Sequence, residues 1–298
     1  MQLRRLAVHR KARRLFFVRE RAVRYSGDVG HRETGAAIQA LDLTRRYDAL
    51  VAVDHLSFQS TAGSIFGLLG PNGAGKSTLI KMLTTLLPPT SGSAFVAGFD
   101  IVREPAQVRK RIGYVSQMLS SDGDLTGYEN LLISAKLYGI RSPERAERIR
   151  NALEFMELTE AAGRRVKQYS GGMIRRLEIA QSMLHHPTVL FLDEPTVGLD
   201  PVAKRSVWQR ILELRERFGT TILMTTHDME EADELCDTVA VLHGGHIVAL
   251  DAPALLKARI GTDATLNDVF IAYTGASMAE EGNIRDVART RRTARRLE

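Results

Sequence analysis

The chain has 298 residues, of which 44% are hydrophobic and 26% charged, a balance that fits one large α/β domain with flanking tails and excludes whole-chain disorder or a collagen-like repeat. Its net charge of +6 is uneven: residues 1–36 hold 10 Lys/Arg against 3 Asp/Glu, residues 276–298 hold 6 against 4, and residues 37–275 hold 25 against 28. A slightly acidic body between basic tails speaks against a nucleic-acid-binding surface.

The segment 1–36 reads as a basic extension with one apolar knot at Leu15–Val18. It is expected to be a solvated, disordered tail, with a basic helix lying on anionic lipid as the functional alternative. The knot is too short for a secretory signal, and no apolar run approaches the roughly 18 residues that cross a bilayer. The single cysteine, Cys236, excludes an internal disulfide and points to a reducing compartment.

Regular patterning begins near Ile38. Ile38–Leu43 and Val51–Phe58 read as strands, and Ser64–Leu69 as a short buried strand ending on glycine. Ser77–Leu87 reads as a helix stopped by Pro88-Pro89, and Ile112–Ser116 as another strand. Over 118–186 the pattern turns helical. Thr126 and Glu129 form a capping box for a helix running to Leu137. Ser142-Pro143 opens a second, with Ile149, Leu153 and Met156 on one face. A third begins after Ser170-Gly171-Gly172. Thr188–Leu192 and Thr221–Thr226 restore buried strands, and Val239–Leu242 and Ile247–Leu250 flank Gly244-Gly245 as a hairpin with a primed turn.

The chemistry concentrates at the strand ends. Gly70-Pro71-Asn72-Gly73-Ala74-Gly75-Lys76-Ser77 matches the pattern of a phosphate-binding loop, set between a strand and a helix. Its glycines let backbone N–H groups turn inward where a Cβ would clash, and the helix N-terminus adds its positive end. Lys76 offers a point charge to the β- and γ-phosphates, and the Ser77 hydroxyl suits Mg²⁺. Val189–Glu194 is an apolar strand ending on two carboxylates, poor folding chemistry unless a cation or water waits there. Asp193 suits Mg²⁺, and Glu194 suits a general base for an attacking water.

Ser170-Gly171-Gly172 gives a second anion-receptive helix start, which makes sense for a nucleotide held by another copy of the chain. Alone, the same residues are an ordinary helix cap. Gln117, following a strand end, can touch Mg²⁺ or the lytic water, and His227 can donate a hydrogen bond to a γ-phosphate. Taken alone, either residue is more often plain polar surface. Tyr47 can stack on an adenine ring or pack in a core.

In this order the set resembles the nucleotide-binding subunit of an ATP-binding-cassette (ABC) transporter, over about residues 38–275. Tyr47 matches the aromatic loop, Gly70–Ser77 (with Thr78 beside it) Walker A, Gln117 the Q-loop and Tyr169–Met173 the signature. Val189–Glu194 matches Walker B, Gly198-Leu199-Asp200 the D-loop, and His227 the switch histidine. The signature departs from Leu-Ser-Gly-Gly-Gln at Tyr169 and Met173. That variant, with 125–130, 233–237 and 266–270, is similar to the daunorubicin-resistance-type branch of exporter ATPases.

The resemblance implies a P-loop NTPase (RecA-like) core with an N-terminal antiparallel β-subdomain and an inserted α-helical signature subdomain. The domains would be a tail at 1–36, an ATPase domain at 37–275 with its helical insertion at about 118–186, and a charged tail at 276–298. It further implies ATP and Mg²⁺, the latter held by Ser77, Gln117 and Asp193, and a head-to-tail dimer with Asp200 at the interface. Glu194, His227 and Gln117 would be the catalytic set. A separate integral membrane permease would tether the chain to the cytoplasmic face of the membrane, no nucleic acid is implied, and the cargo would be a drug, antibiotic or similar amphiphile. Importer ATPases and soluble ABC ATPases are the alternatives.

Overall fold

In the computed structural model, which describes residues 35–275, the apolar run Ile65–Leu69 becomes a strand with no exposed residue. It is the third strand in chain order, after β1 (Ala36–Tyr47) and β2 (Leu50–Thr61), and is called β3. It runs parallel to β8 (Thr221–Thr226) on one side and β9 (Thr238–His243) on the other. With β6 (Ile112–Val115), β7 (Val189–Asp193) and the antiparallel edge strand β10 (His246–Asp251) it forms a six-stranded sheet in the order β10-β9-β3-β8-β7-β6.

Both faces of this sheet are covered, which is why its strands read as unbroken apolar runs. Side chains alternate across it. Phe66, Leu68, Phe191 and Leu223 enter one core, while Ile65, Leu190, Leu192, Ile222 and Met224 enter the other.

The first core lies under a second, antiparallel sheet in the order β2-β1-β4-β5, with β4 (Ser91–Val96) and β5 (Phe99–Asp100). Sequence reading missed these two strands. The antiparallel β-subdomain implied by the resemblance is present, built from β1 and β2 before the phosphate loop and β4 and β5 after it. That loop's helix, α1 (Lys76–Leu83), packs between the sheets through Leu79, Ile80 and Met82.

Helix α1 stops four residues short of the expected Leu87. The Thr84 hydroxyl bonds back to the Ile80 carbonyl at 2.8 Å, and Thr85 turns left-handed at φ 64°. The short α2 (Pro105–Arg111) then leads into β6.

Between β6 and β7 lie α3 (Gly127–Leu137), α4 (Ser142–Phe155) and α5 (Gly171–Met183). The Thr126–Glu129 capping box is present, and Ile149, Leu153 and Met156 are buried. These helices join the second core through Leu131, Ala135, Leu177 and Ala180. That core is closed by α6 (Pro201–Phe218), α7 (Met229–Leu235), α8 (Pro253–Ala258) and α9 (Leu266–Thr274).

The β9–β10 hairpin turns through Gly244 and Gly245, both at positive φ, as a primed turn demands. Among the described residues no helix is long and apolar enough to cross a membrane. The basic extension falls almost wholly outside the described residues, and the 276–298 tail entirely so.

Candidate functional site

Parallel strands deliver their carboxyl ends to one edge of the sheet, where ligands of open α/β folds bind. In the register here, Leu69 stands beside Thr226, Asp193 beside Thr225, and Val115 beside Leu192. The residues just beyond these ends are the Gly70 loop, Gln117, Glu194 and His227.

The loop's glycines answer to space as well as dihedral. A Cβ on Gly70 would sit 2.4 Å from the Leu242 carbonyl oxygen. One on Gly75, at φ 109°, would sit 2.4 Å from that of Ala52. Lys76 folds back beneath the loop, and its Nζ donates to the Gly70 and Pro71 carbonyls at 2.6 and 3.2 Å. It also lies 3.3 Å from Glu194 Oε1, with both side chains buried. Burial pulls the Lys76 ammonium below its usual range, and the Glu194 charge opposes that fall.

Glu194 is the hub. Its Oε2 accepts from the Gln117 amide at 3.1 Å, and its Oε1 lies 3.3 Å from His227 Nδ1. Burial pushes its carboxyl up, but the His227 hydrogen bond and the Lys76 charge outweigh burial and hold it low. The backbone is strained there, at φ 48° for a non-glycine. Thr225 restrains it, since the Glu194 N–H donates to the Thr225 hydroxyl at 2.9 Å.

The same threonine hydroxyl donates to Asp193 Oδ1 at 2.6 Å, and Ser77 Oγ reaches that oxygen at 3.2 Å. Two hydroxyls and a carboxylate are hard oxygen groups, the donor set Mg²⁺ prefers, and Ser77 and Asp193 fit it. Thr225 was not singled out from sequence. Its signal was a polar Thr-Thr pair closing an otherwise apolar strand.

A second buttress also escaped notice. Glu231 is buried, and its Oε1 accepts from the Thr196 hydroxyl at 2.7 Å and the Trp208 indole N–H at 2.9 Å. Burial pushes its carboxyl up. These bonds pin the turn after Glu194 to α6 and α7. A cleft of about 340 Å³ opens there, lined by Glu194, His227, Leu199 and Trp208.

His227 gives the nucleotide-free chain a pH signature. Its hydrogen bond to Glu194 raises the imidazole above 6.5. The stability this adds is complete below about 6.5 and lost as pH rises through the raised value. Glu194, held below 4.5, adds stability above about 4.5 that is lost as pH falls through its lowered value. The pair therefore contributes most between those limits. In thermal unfolding without nucleotide, His227→Gln is expected to lower Tm at about pH 6 and to match wild type by about pH 9. An equal deficit at both would show that the imidazole charge plays no part.

The predicted signature, D-loop and aromatic-loop residues are positioned by other elements. Ser170 and Gly171 are exposed at the start of α5, where the Ser170 hydroxyl accepts from the Met173 N–H at 3.3 Å. Gly171 and Gly172 face Leu199 and Ala203, at the start of α6, where added Cβ atoms would come within 3.1 and 2.8 Å. Asp200 caps α6, accepting from Val202 and Ala203 N–H at 3.0 Å. The two departures in the signature face the protein rather than solvent alone, Tyr169 buried and Met173 half-buried. Tyr169 is buried with its hydroxyl on the Ala161 carbonyl, and Met173 packs against the helical core. Tyr47, at the end of β1, is 39% exposed and carries the Arg45 guanidinium 4.6 Å from its ring centre. Asn72 and Gly73 are exposed at the loop crest, and Ala74 and Thr78 lie on its helical side.

A family model described as "ABC transporter" matches residues 53–197. The daunorubicin/doxorubicin resistance ATP-binding protein DrrA of Streptomyces peucetius is 44% identical over 227 residues, covering 76% of this chain and 68% of that protein. The Nod factor export ATP-binding protein I of Burkholderia thailandensis is 43% identical over 76% of this chain and 75% of its own length. A solved ATP-binding subunit of an ABC transporter superposes with a TM-score of 0.71 at 28% identity, covering 80% of this chain and 99% of that one.

Proposed function

From the premise that this chain belongs to the ABC transporter family, as an ATP-hydrolysing subunit in the drug-resistance exporter branch, we propose that two copies clasp ATP between them. The Gly70–Thr78 loop of one copy would hold each nucleotide and Ser170-Gly171-Gly172 of the other would cover it. One observation carries this: Ser170 and Gly171 offer an exposed, anion-receptive helix start, packed through Gly171 and Gly172 against Leu199 and Ala203 beside Asp200.

Within each clasp, backbone N–H groups of the Gly70–Gly75 turn and the Lys76 ammonium meet the β- and γ-phosphates, and Tyr47 stacks on the adenine. Ser77 and Asp193, with the Gln117 amide oxygen, would hold Mg²⁺, which when bound neutralises phosphate charge. Glu194, already ionised and strained towards the site, accepts a proton from water as the water's oxygen attacks the γ-phosphorus. The bond to the bridging oxygen breaks, and ADP and phosphate are left. His227 donates a hydrogen bond to the γ-phosphoryl oxygens. Positioning and charge supply most of the acceleration.

Residues 37–275 form the ATPase domain in this reading, with 118–186 as its helical insertion and 1–36 and 276–298 as tails. A separate integral membrane permease carries the cargo, and the chain attaches through it to the cytoplasmic face. The exposed apolar side chains Met118 (81%) and Leu137 (82%) support a contact there. Relatives named for daunorubicin resistance and Nod factor export support outward movement of an amphiphile.

Subunit mixing tests the clasp. Lys76→Ala and Ser170→Arg homodimers each lack two working sites. A mixed dimer regains one, from the intact loop of one copy and the intact helix start of the other. Mixing is expected to restore roughly a quarter of wild-type ATPase activity. Activity no greater than the sum of the separate variants would place both halves of the site on one chain.

A further inference from the structure

Segment 116–121 leaves β6 and crosses the N-terminal half of α5, where two buried charges grip it. Arg175 and Glu178, with side chains 3% and 2% exposed, pair at 3.1 Å. Arg175 donates to the Ser116 carbonyl at 2.7 Å and to the Gln117 carbonyl at 3.0 Å. Glu178 Oε1 accepts from the Ser120 N–H, from the Ser120 hydroxyl at 3.2 Å and from the Ser121 N–H at 3.4 Å. The grip therefore holds the backbone on both sides of Met118 and Leu119, whose side chains stay exposed at 81% and 56%.

A buried ion pair is a costly way to fill space, since apolar residues of similar volume stabilise a core at least as well. Glu178 Oε2 faces only Arg175, and the hydrogen bonds of Glu178 Oε1 and of both Arg175 terminal nitrogens go to one loop. That loop carries Gln117, whose amide donates to Glu194 at 3.1 Å. Arg175 and Glu178 also lie one to two turns beyond Ser170 on the same rigid helix. A displacement of the Ser170 end must travel with them to the Gln117 backbone.

Resting on the ATPase reading above, we propose that Arg175 and Glu178 are positioning residues. They set Gln117 against Glu194 according to where the start of α5 stands. Neither touches nucleotide. Their effect on hydrolysis runs through Gln117.

The test is a double-mutant cycle on the full chain, measuring steady-state hydrolysis of Mg-ATP. Arg175→Lys keeps the charge but loses the two-pronged grip. It is expected to lower kcat about tenfold, with KM within about twofold and Tm near wild type. Gln117→Ala is expected to lower kcat by a similar factor, and the double variant to fall no further. Amide exchange at Ser120 and Ser121 should quicken in Arg175→Lys while the core strands stay protected.

Losses that multiply in the double variant, or wild-type kcat in Arg175→Lys, overturn the proposal. Should Arg175→Lys not fold, Glu178→Gln takes its place. It keeps an oxygen for Ser120 and Ser121 but loses the charge facing Arg175, and about a threefold fall in kcat, again non-additive with Gln117→Ala, is expected. Wild-type kcat there assigns the pair to structure alone. An inactive wild type would fail the ATPase reading, whereas an active one with multiplying losses fails only this inference.

Discussion

Replacing Glu194 by Gln is expected to slow ATP hydrolysis by about 10²–10⁴ while leaving nucleotide binding intact, the cost of losing a general base. The substitution is nearly isosteric, so the strained φ of 48° and the Thr225 bonds that hold it need not change. An amide oxygen remains to accept from one of Lys76 and His227, which lie 3.3 Å from the native carboxylate. What disappears is the negative charge. Lys76 then loses its anionic partner within the chain, and its ammonium turns more readily to incoming phosphate, so affinity for Mg-ATP should not fall. With turnover blocked, the closed two-copy state should accumulate and appear as a dimer in sedimentation with Mg-ATP. Turnover within about threefold of wild type would remove Glu194 from the role of base.

Lys76→Ala is expected to act on the other half of the chemistry and weaken Mg-ATP binding by about two orders of magnitude. A hydrogen bond from a charged donor is worth about 1.5–3 kcal/mol, and Lys76 is placed to make two, to the β- and γ-phosphates. The native ammonium has already given up its water, being 5% exposed. Its removal also strips Glu194 of a charge that holds the carboxyl low, leaving the His227 contact alone to oppose burial. Base and cradle are thus damaged by one change. Equilibrium binding to the full chain measures the first effect, and loss of the Tm rise that Mg-ATP gives the wild type reports the same event. Affinity within about threefold of wild type would assign the phosphates to other groups.

What sequence made legible was local chemistry. The Gly70–Ser77 loop is contiguous, its glycine spacing follows from phosphate size, and a buried strand ending on Asp193-Glu194 is conspicuous because it folds badly unaided. The Thr126–Glu129 cap was equally plain, since both partners sit within one turn. What stayed hidden depends on pairs distant in sequence. Thr225 matters because β8 lies beside β7, and Arg175 and Glu178 because α5 crosses segment 116–121; neither adjacency is written in spacing. Strands β4 and β5 escaped because Ser91-Gly92-Ser93 lacks strand-forming residues and finds its order by pairing with β1. The overrun past Leu83 has a similar cause. Apolar residues continue to Leu87, and only the Thr84 back-bond and the Thr85 twist end the helix.

The antiparallel sheet interleaves the phosphate loop with its own construction, because β1 pairs on one edge with β2 from before the loop and on the other with β4 from after it. A ribosome must therefore emit the whole nucleotide cradle before that sheet can be finished. The excursion between β2 and β4 is a closed loop whose closure entropy is met when the last strand docks. The cradle and the sheet mature as one cooperative unit, and neither can be lifted out of the other as a separable module.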